Sequence, residues 1–197
     1  MSELYPQVMS ELYPFVYRGL LTEESLDKAG RMKSYKFGSE EKALINEKLS
    51  LEMLDDETIE PAQRMALVYT VVHAFENTVR DFVRSAMIEE FQENWWTKVS
   101  TKIQNKAKSR MEDEAKFRWH GARGGAEIDY CDFGDLSAII VTHWDVFKDV
   151  LVDLEWTKAL LGVLERSRNI VMHGGVLAMQ DIERIGGNIR DWVRQAG

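Results

Sequence analysis

A chain of 197 residues can hold one domain with a substantial core, or a domain with a helical extension. Its 45% hydrophobic and 29% charged residues are ordinary for a globular protein, while a net charge of −8 excludes one that coats nucleic acid through its overall charge. A single cysteine, Cys131, excludes an intrachain disulfide and a thiolate zinc site and points to a reducing compartment. No stretch approaches the ~20 apolar residues of a membrane span, and the first residues show no apolar run before a cleavage site. The expected location is cytoplasmic.

The elements begin with a short repeat, Met1-Ser-Glu-Leu-Tyr-Pro-Gln-Val8 followed by Met9-Ser-Glu-Leu-Tyr-Pro-Phe-Val16. Eight residues are too few for a solenoid unit, so it reads as a local duplication or as an arm that docks on a partner chain. Thr22 can cap a helix to about Tyr35, and Ser39 another to about Leu54. The acidic run Asp55-Asp56-Glu57 and Pro61 then mark a boundary, giving an N-terminal helical extension over 1–60 and a helical bundle over 61–197. From Pro61 to about Gln92 the apolar residues Met65, Val68, Val72, Phe75, Val79, Phe82 and Ala86 alternate by three and four. That spacing makes one continuous seam, and Pro61 suits a first turn. A long central helix is expected, about 45 Å if thirty residues contribute.

A further helix is expected from Trp95 to about Arg118, with Trp95, Val99, Ile103 and Ala107 on one stripe. The glycines between His120 and Glu127 make a loop. Tyr130 to Gly134 reads as a turn into a helix over about Asp135 to Val141, and a short helix follows around Trp144 to Leu151. Asp153 can cap a helix to about Met172, which Gly174-Gly175 would stop. The last helix carries Ile182, Ile185, Ile189 and Trp192, with Gly186-Gly187 as a place to kink. No segment alternates with period two, so the fold class is all-α with little or no sheet.

Between Lys98 and Arg123 there are eight Lys or Arg against three acids, a local +5. This is either a solvated helix face or a surface that tracks phosphates, since Lys98, Lys102 and Lys106 fall on one stripe. Trp119 and His120 at its end could stack a base. His73, His120 and His143 have no metal-ligand spacing, so no metal and no cofactor is expected. Met53, Met65 and Met87 read as core filler.

The densest chemistry lies in Arg168-Asn169-Ile170-Val171-Met172-His173. Asn169 and His173 are four apart on one helix face, and Arg168 shares the neighbouring stripe with Met172. A helix C-terminus favours a charged imidazole. An arginine can neutralise a pentavalent phosphorus, an amide can orient a phosphate oxygen or the imidazole, and a histidine can move a proton. Arg and His ahead of Gly-Gly are equally the ordinary ending of a helix. On the long helix Glu76, Asn77 and Arg80 form a polar flank. Glu76 and Arg80 read either as an ion pair or as support for the cleft, with Glu76 holding Arg168 or Arg80 adding charge.

Taken in order, Phe75-Glu-Asn-x-x-Arg80-Asp-Phe, Trp95-Trp96, Tyr130-x-Asp-Phe-Gly-Asp-Leu-x-x-Ile-Ile140, Trp144-x-x-Phe147 and Arg168-Asn-x-x-x-His-Gly resemble the HEPN superfamily (higher eukaryotes and prokaryotes nucleotide-binding). The resemblance spans about residues 65 to 180 and is closest to the branch also fused to PIN-type endoribonucleases and found in prokaryotic defence proteins. It implies a four- or five-helix bundle, dimerisation that brings two motifs together, and metal-independent RNA cleavage through the 2′-hydroxyl. No second arginine has a histidine four to six residues later, so a composite site would need two chains. The resulting expectation is a homodimeric endoribonuclease with Arg168, Asn169 and His173 as catalytic residues, Glu76, Asn77 and Arg80 in support, and Lys98, Lys102 and Lys106 on RNA. An antitoxin or defence-system protein is a further expected partner. The rival expectation is a non-catalytic module that binds RNA, nucleotide or a partner protein.

Overall fold

Helix-forming runs broken by capping residues and glycines build the whole of the molecule described here. The computed structural model describes residues 22, 25, 39–117, 119–151 and 153–196, and among them there is no strand. The chain divides into two units, Met1–Asp55 and Asp56–Gly197. The repeat at residues 1–16 lies outside the described residues, and of the helix expected after Thr22 only Thr22 and Ser25 are described, both helical. In the first unit α1 covers Ser39–Lys48 and a 3-10 turn covers Leu51–Met53. One helix to Leu54 does not form, because Ser50 takes a left-handed φ of 52° that ends it. Met53 is exposed there, so it fills no core, unlike Met65 and Met87.

The second unit is built on α2, Asp56–Phe91, followed by a 3-10 segment Gln92–Lys98 and α3, Thr101–Ala115. A 3-10 turn at Glu127–Tyr130 leads to α4, Phe133–Thr142, then α5, Trp144–Phe147, α6, Leu154–Met172, and α7, Met179–Ala196. Helix α2 starts five residues before Pro61. The proline sits inside it, and the N–H it lacks would have met the carbonyl of the exposed Glu57, which water can satisfy. Trp95 to Ala107 is not one helix: Val99 is extended at ψ 145°, Ser100 precedes α3, and the stripe is nevertheless buried at Val99, Ile103 and Ala107. Helix α4 begins two residues earlier than expected because Asp132 caps it in a reciprocal box with Asp135. Gly186-Gly187 are accommodated without a break in α7.

The α2 seam drifts as it runs. Met65, Val68, Val72, Phe75 and Val79 are buried as the three–four spacing requires, but the next buried positions are Val83 and Met87 rather than Phe82 and Ala86. A strict three–four alternation repeats every 3.5 residues, and a straight helix slips about 20° per heptad against it, so the buried line moves over by one residue. Phe82 stays on the shoulder, where its ring meets Phe147 and Trp192 at 5.6 Å each. Trp192 of α7 is buried and stands edge-on to Phe75 and Phe82, both at 85°. Its truncation to alanine would cost about 3–5 kcal/mol. Helices α4 and α6 pack most closely on one another and both pack on α2, which brings the end of α6 beside the polar flank of α2.

Candidate functional site

Helix α6 owes its register to its first turn. The Asp153 carboxylate accepts from the Trp156 N–H at 2.6 Å, and the Thr157 hydroxyl donates to the Asp153 carbonyl at 2.8 Å. Thr157, Leu160, Leu161, Leu164 and Ser167 are then buried, spaced by one helical turn. The opposite face carries Gly162, Glu165, Arg166, Asn169, Ile170 and His173, which line a shallow depression of about 580 Å³.

The end of the helix is fixed by two glycines. Gly174 takes φ +78°, its N–H donates to the Val171 carbonyl at 3.1 Å, and the Gly175 N–H donates to the Ile170 carbonyl at 2.8 Å. This Schellman arrangement makes His173 the C-cap, with its own N–H on the Asn169 carbonyl at 3.1 Å. A Cβ on Gly175 would lie 2.6 Å from Ile170 Cγ2, so no side chain fits there. Beyond the turn, Leu177 is buried and its N–H donates to Met65 Sδ at 3.3 Å, returning the chain to α2. The imidazole is thereby left exposed on a rigid stop.

Arg168 lies one residue round the helix from this face and turns toward α2. Its Nη1 donates to Asn169 Oδ1 at 3.2 Å, and its Nε lies 3.8 Å from Glu76 Oε2. Glu76 is buried, and its other oxygen accepts from Arg80 Nη2 at 3.1 Å. Arg80 donates further to the Ile128 carbonyl at 3.2 Å, the Cys131 carbonyl at 3.1 Å and the Asn77 Oδ1. Asn77 also meets His73 Nε2 at 3.3 Å. Of the two roles open to this flank, the geometry places Glu76 next to Arg168, whereas the guanidinium of Arg80 is engaged with the 128–131 turn and does not line the depression.

The basic segment is arranged differently from the stripe expected of it. Lys98 and Lys102 are exposed, on the 3-10 segment and on α3. Lys106 instead reaches Asp132 at 3.0 Å and Asp135 at 2.8 Å, and Arg110 reaches the same two carboxylates at 2.8 and 3.3 Å. Burial alone would raise the Asp132 carboxyl, but bonds from Arg110 and Lys106 outweigh it and hold that carboxyl well below the usual range. Lys108, Lys116 and Arg123 also sit on carboxylates, so much of the local positive charge is matched within the chain. Trp119 and His120 stand exposed beside Phe117, rimming a hollow of about 550 Å³ with Glu114 and Arg123. Burial pushes the Cys131 thiol up to about 12, which removes it as a nucleophile.

Two residues of the α6 face were not singled out from the sequence. Arg166 is exposed and carries no ion pair among the described residues. Glu165 is half-buried, and its carboxyl is raised by burial and by the nearby Asp132, against the pull of Lys106. The signal for both was the helical period counted back from His173. Among the described residues no group of three or more His, Cys, Asp or Glu could hold a metal ion, and no helix is long and apolar enough to cross a membrane.

An all-α bundle with an arginine, an amide and a histidine closing one of its helices defines the class of protein. A family model described as Swt1-like HEPN matches residues 71–197, and the chain belongs to that family. No curated protein and no solved structure matches it significantly. The match covers most of α2 and everything after it, including the resembling elements from Phe75 onward. A HEPN domain makes this a nucleotide-binding or ribonuclease-type module.

Proposed function

We propose that the chain is a metal-independent endoribonuclease that acts as a homodimer, in the cytoplasm of a prokaryote and within a defence or toxin system. The observation that carries this reading is the placing of His173 and Asn169 on one open face at a rigid helix end, with Arg168 on the next stripe, in a HEPN domain. In the reaction the RNA 2′-oxygen forms a bond to the neighbouring phosphorus while the bond to the 5′-oxygen breaks. The products are a 2′,3′-cyclic phosphate and a 5′-hydroxyl. One His173 accepts the 2′-hydroxyl proton and the His173 of a second copy donates to the leaving oxygen. Arg168 neutralises the non-bridging oxygens and Asn169 orients the site.

Exposed apolar side chains beside His173 support a second copy at this end: Met172, Val176 and Met179 are 52, 52 and 63% exposed. The residues before α2 would form an N-terminal helical extension, and an antitoxin would be a further partner. The test is cleavage of RNA in EDTA. His173→Ala should lose about 10²–10⁴-fold in rate. Equal rates in wild type and variant, or no cleavage of several RNAs by either, would sink the proposal.

A second reading has its own support. Within one chain Arg168 faces Glu76 rather than the depression, and the basic segment is largely matched by carboxylates. Both suit a non-catalytic module that binds RNA, nucleotide or a partner protein. Salt-sensitive RNA binding without cleavage, or a large ring-like oligomer, would favour it.

A further inference from the structure

The face of α6 that holds His173 continues for two more turns toward its N-terminus, and those turns have no part in the chemistry above. Arg166 lies seven positions before His173, about 10 Å along the axis, and both side chains line the same depression. Other cations nearby are engaged: Arg168 by Glu76 and Asn169, Lys106 and Arg110 by Asp132 and Asp135. Arg166 has no such partner among the described residues. Glu165 is the one anion among the described residues of this wall, and its Oε1 lies 2.8 Å from where a Cβ on Gly134 would be, so one carboxylate oxygen is against α4.

Gly162 closes the far end of the depression. A glycine inside a helix costs about 0.5–1 kcal/mol relative to alanine. A Cβ at Gly162 would meet nothing within 4 Å, so the chain's own packing does not demand it. Bare backbone at the end of a groove is what the close approach of another molecule requires.

We infer that Arg166, beside the notch at Gly162, is a phosphate subsite that holds the RNA strand next to the phosphate attacked at His173. The inference rests on the ribonuclease reading and deepens it. Arg166 binds a phosphodiester that does not react, so it contributes equally to ground state and transition state and acts on binding rather than on the chemical step.

The experiment measures binding of a labelled single-stranded oligouridylate to the full chain carrying His173→Ala, as a function of salt. Adding Arg166→Gln should lower the slope of log K against log salt by about 0.7, the share of one phosphate contact on a single strand. Arg166→Lys should restore it. In the cleaving protein Arg166→Gln should raise KM and leave kcat in place. An unchanged slope in Arg166→Gln, while wild type still cleaves RNA, overturns the subsite and leaves the ribonuclease reading standing. An altered oligomeric state with an unchanged slope assigns Arg166 to a protein interface and overturns it too. A wild-type chain that neither binds nor cleaves RNA removes both.

Discussion

The junction of α3 with α4 and the end of α6 both concentrate charged and polar residues, and they treat them in opposite ways. At the junction Lys106 and Arg110 each reach both Asp132 and Asp135, and the two aspartates also cap α4 through each other's N–H groups. At the end of α6 the backbone is as firmly fixed, by Gly174 and Gly175, but His173, Asn169 and Arg166 are presented outward. Satisfied charge holds a frame; polar groups left exposed on a fixed backbone are available to a ligand. Lys106, Arg110, Asp132 and Asp135 make the fold, whereas His173, Asn169 and Arg166 are carried by it.

The largest effect should come from breaking the frame. Asp135 is buried, and its removal would leave Lys106 and Arg110 short of one carboxylate and α4 short of half its capping box. Asp135→Ala should cost about 2 kcal/mol in urea unfolding, because Lys106 and Arg110 are left with Asp132 alone and the Asp132 N–H loses its acceptor. A cost below about 0.5 kcal/mol, typical of surface changes, would mean that the junction holds nothing together.

A smaller effect, and a more diagnostic one, lies in pH. The folded Asp132 carboxyl titrates well below its unfolded value, so the stability it contributes is fully present above about pH 4. That stability is lost as pH falls toward the folded value. Asp132→Asn keeps an oxygen for the cap but not the charge. Its deficit against wild type should be greatest at neutral pH and should shrink below pH 4. A deficit that stays constant from neutral to acid would assign the effect to packing instead.

Much of this was legible in the sequence, for reasons that differ by residue. The long helix was visible because one apolar seam runs for three heptads, and the end of α6 because Gly-Gly after a periodic run is a strong stop. The start of α2 was not: Pro61 resembles a first-turn residue, and only the exposed Glu57 carbonyl makes it tolerable five residues further in. Lys98, Lys102 and Lys106 share a spacing, but spacing does not say that Asp132 and Asp135 arrive across 26 and 29 residues to take Lys106 away. Among the resembling elements, Glu76, Arg80, Asp132, Asp135 and Phe147 are joints and core of the bundle. Their order in the sequence records the fold more directly than the chemistry. The proposed composite site would depend on contacts between two chains, whose geometry no single-chain pattern encodes.

The smallest expected effect on stability lies at the end of α6. His173 closes α6, and an arginine and histidine at a helix end can be there for capping alone. Yet the cap is made by main-chain groups: the His173 N–H on Asn169, and the N–H groups of Gly174 and Gly175 on Val171 and Ile170. Neither imidazole nitrogen of His173 takes part in it, and among the described residues the Asn169 side chain hydrogen-bonds only with Arg168. His173→Ala and Asn169→Ala should therefore shift the unfolding free energy by less than about 0.5 kcal/mol, as exposed substitutions do. The same variants should lose RNA cleavage. Should either cost more than about 1 kcal/mol, that side chain would belong to the frame rather than to an open site.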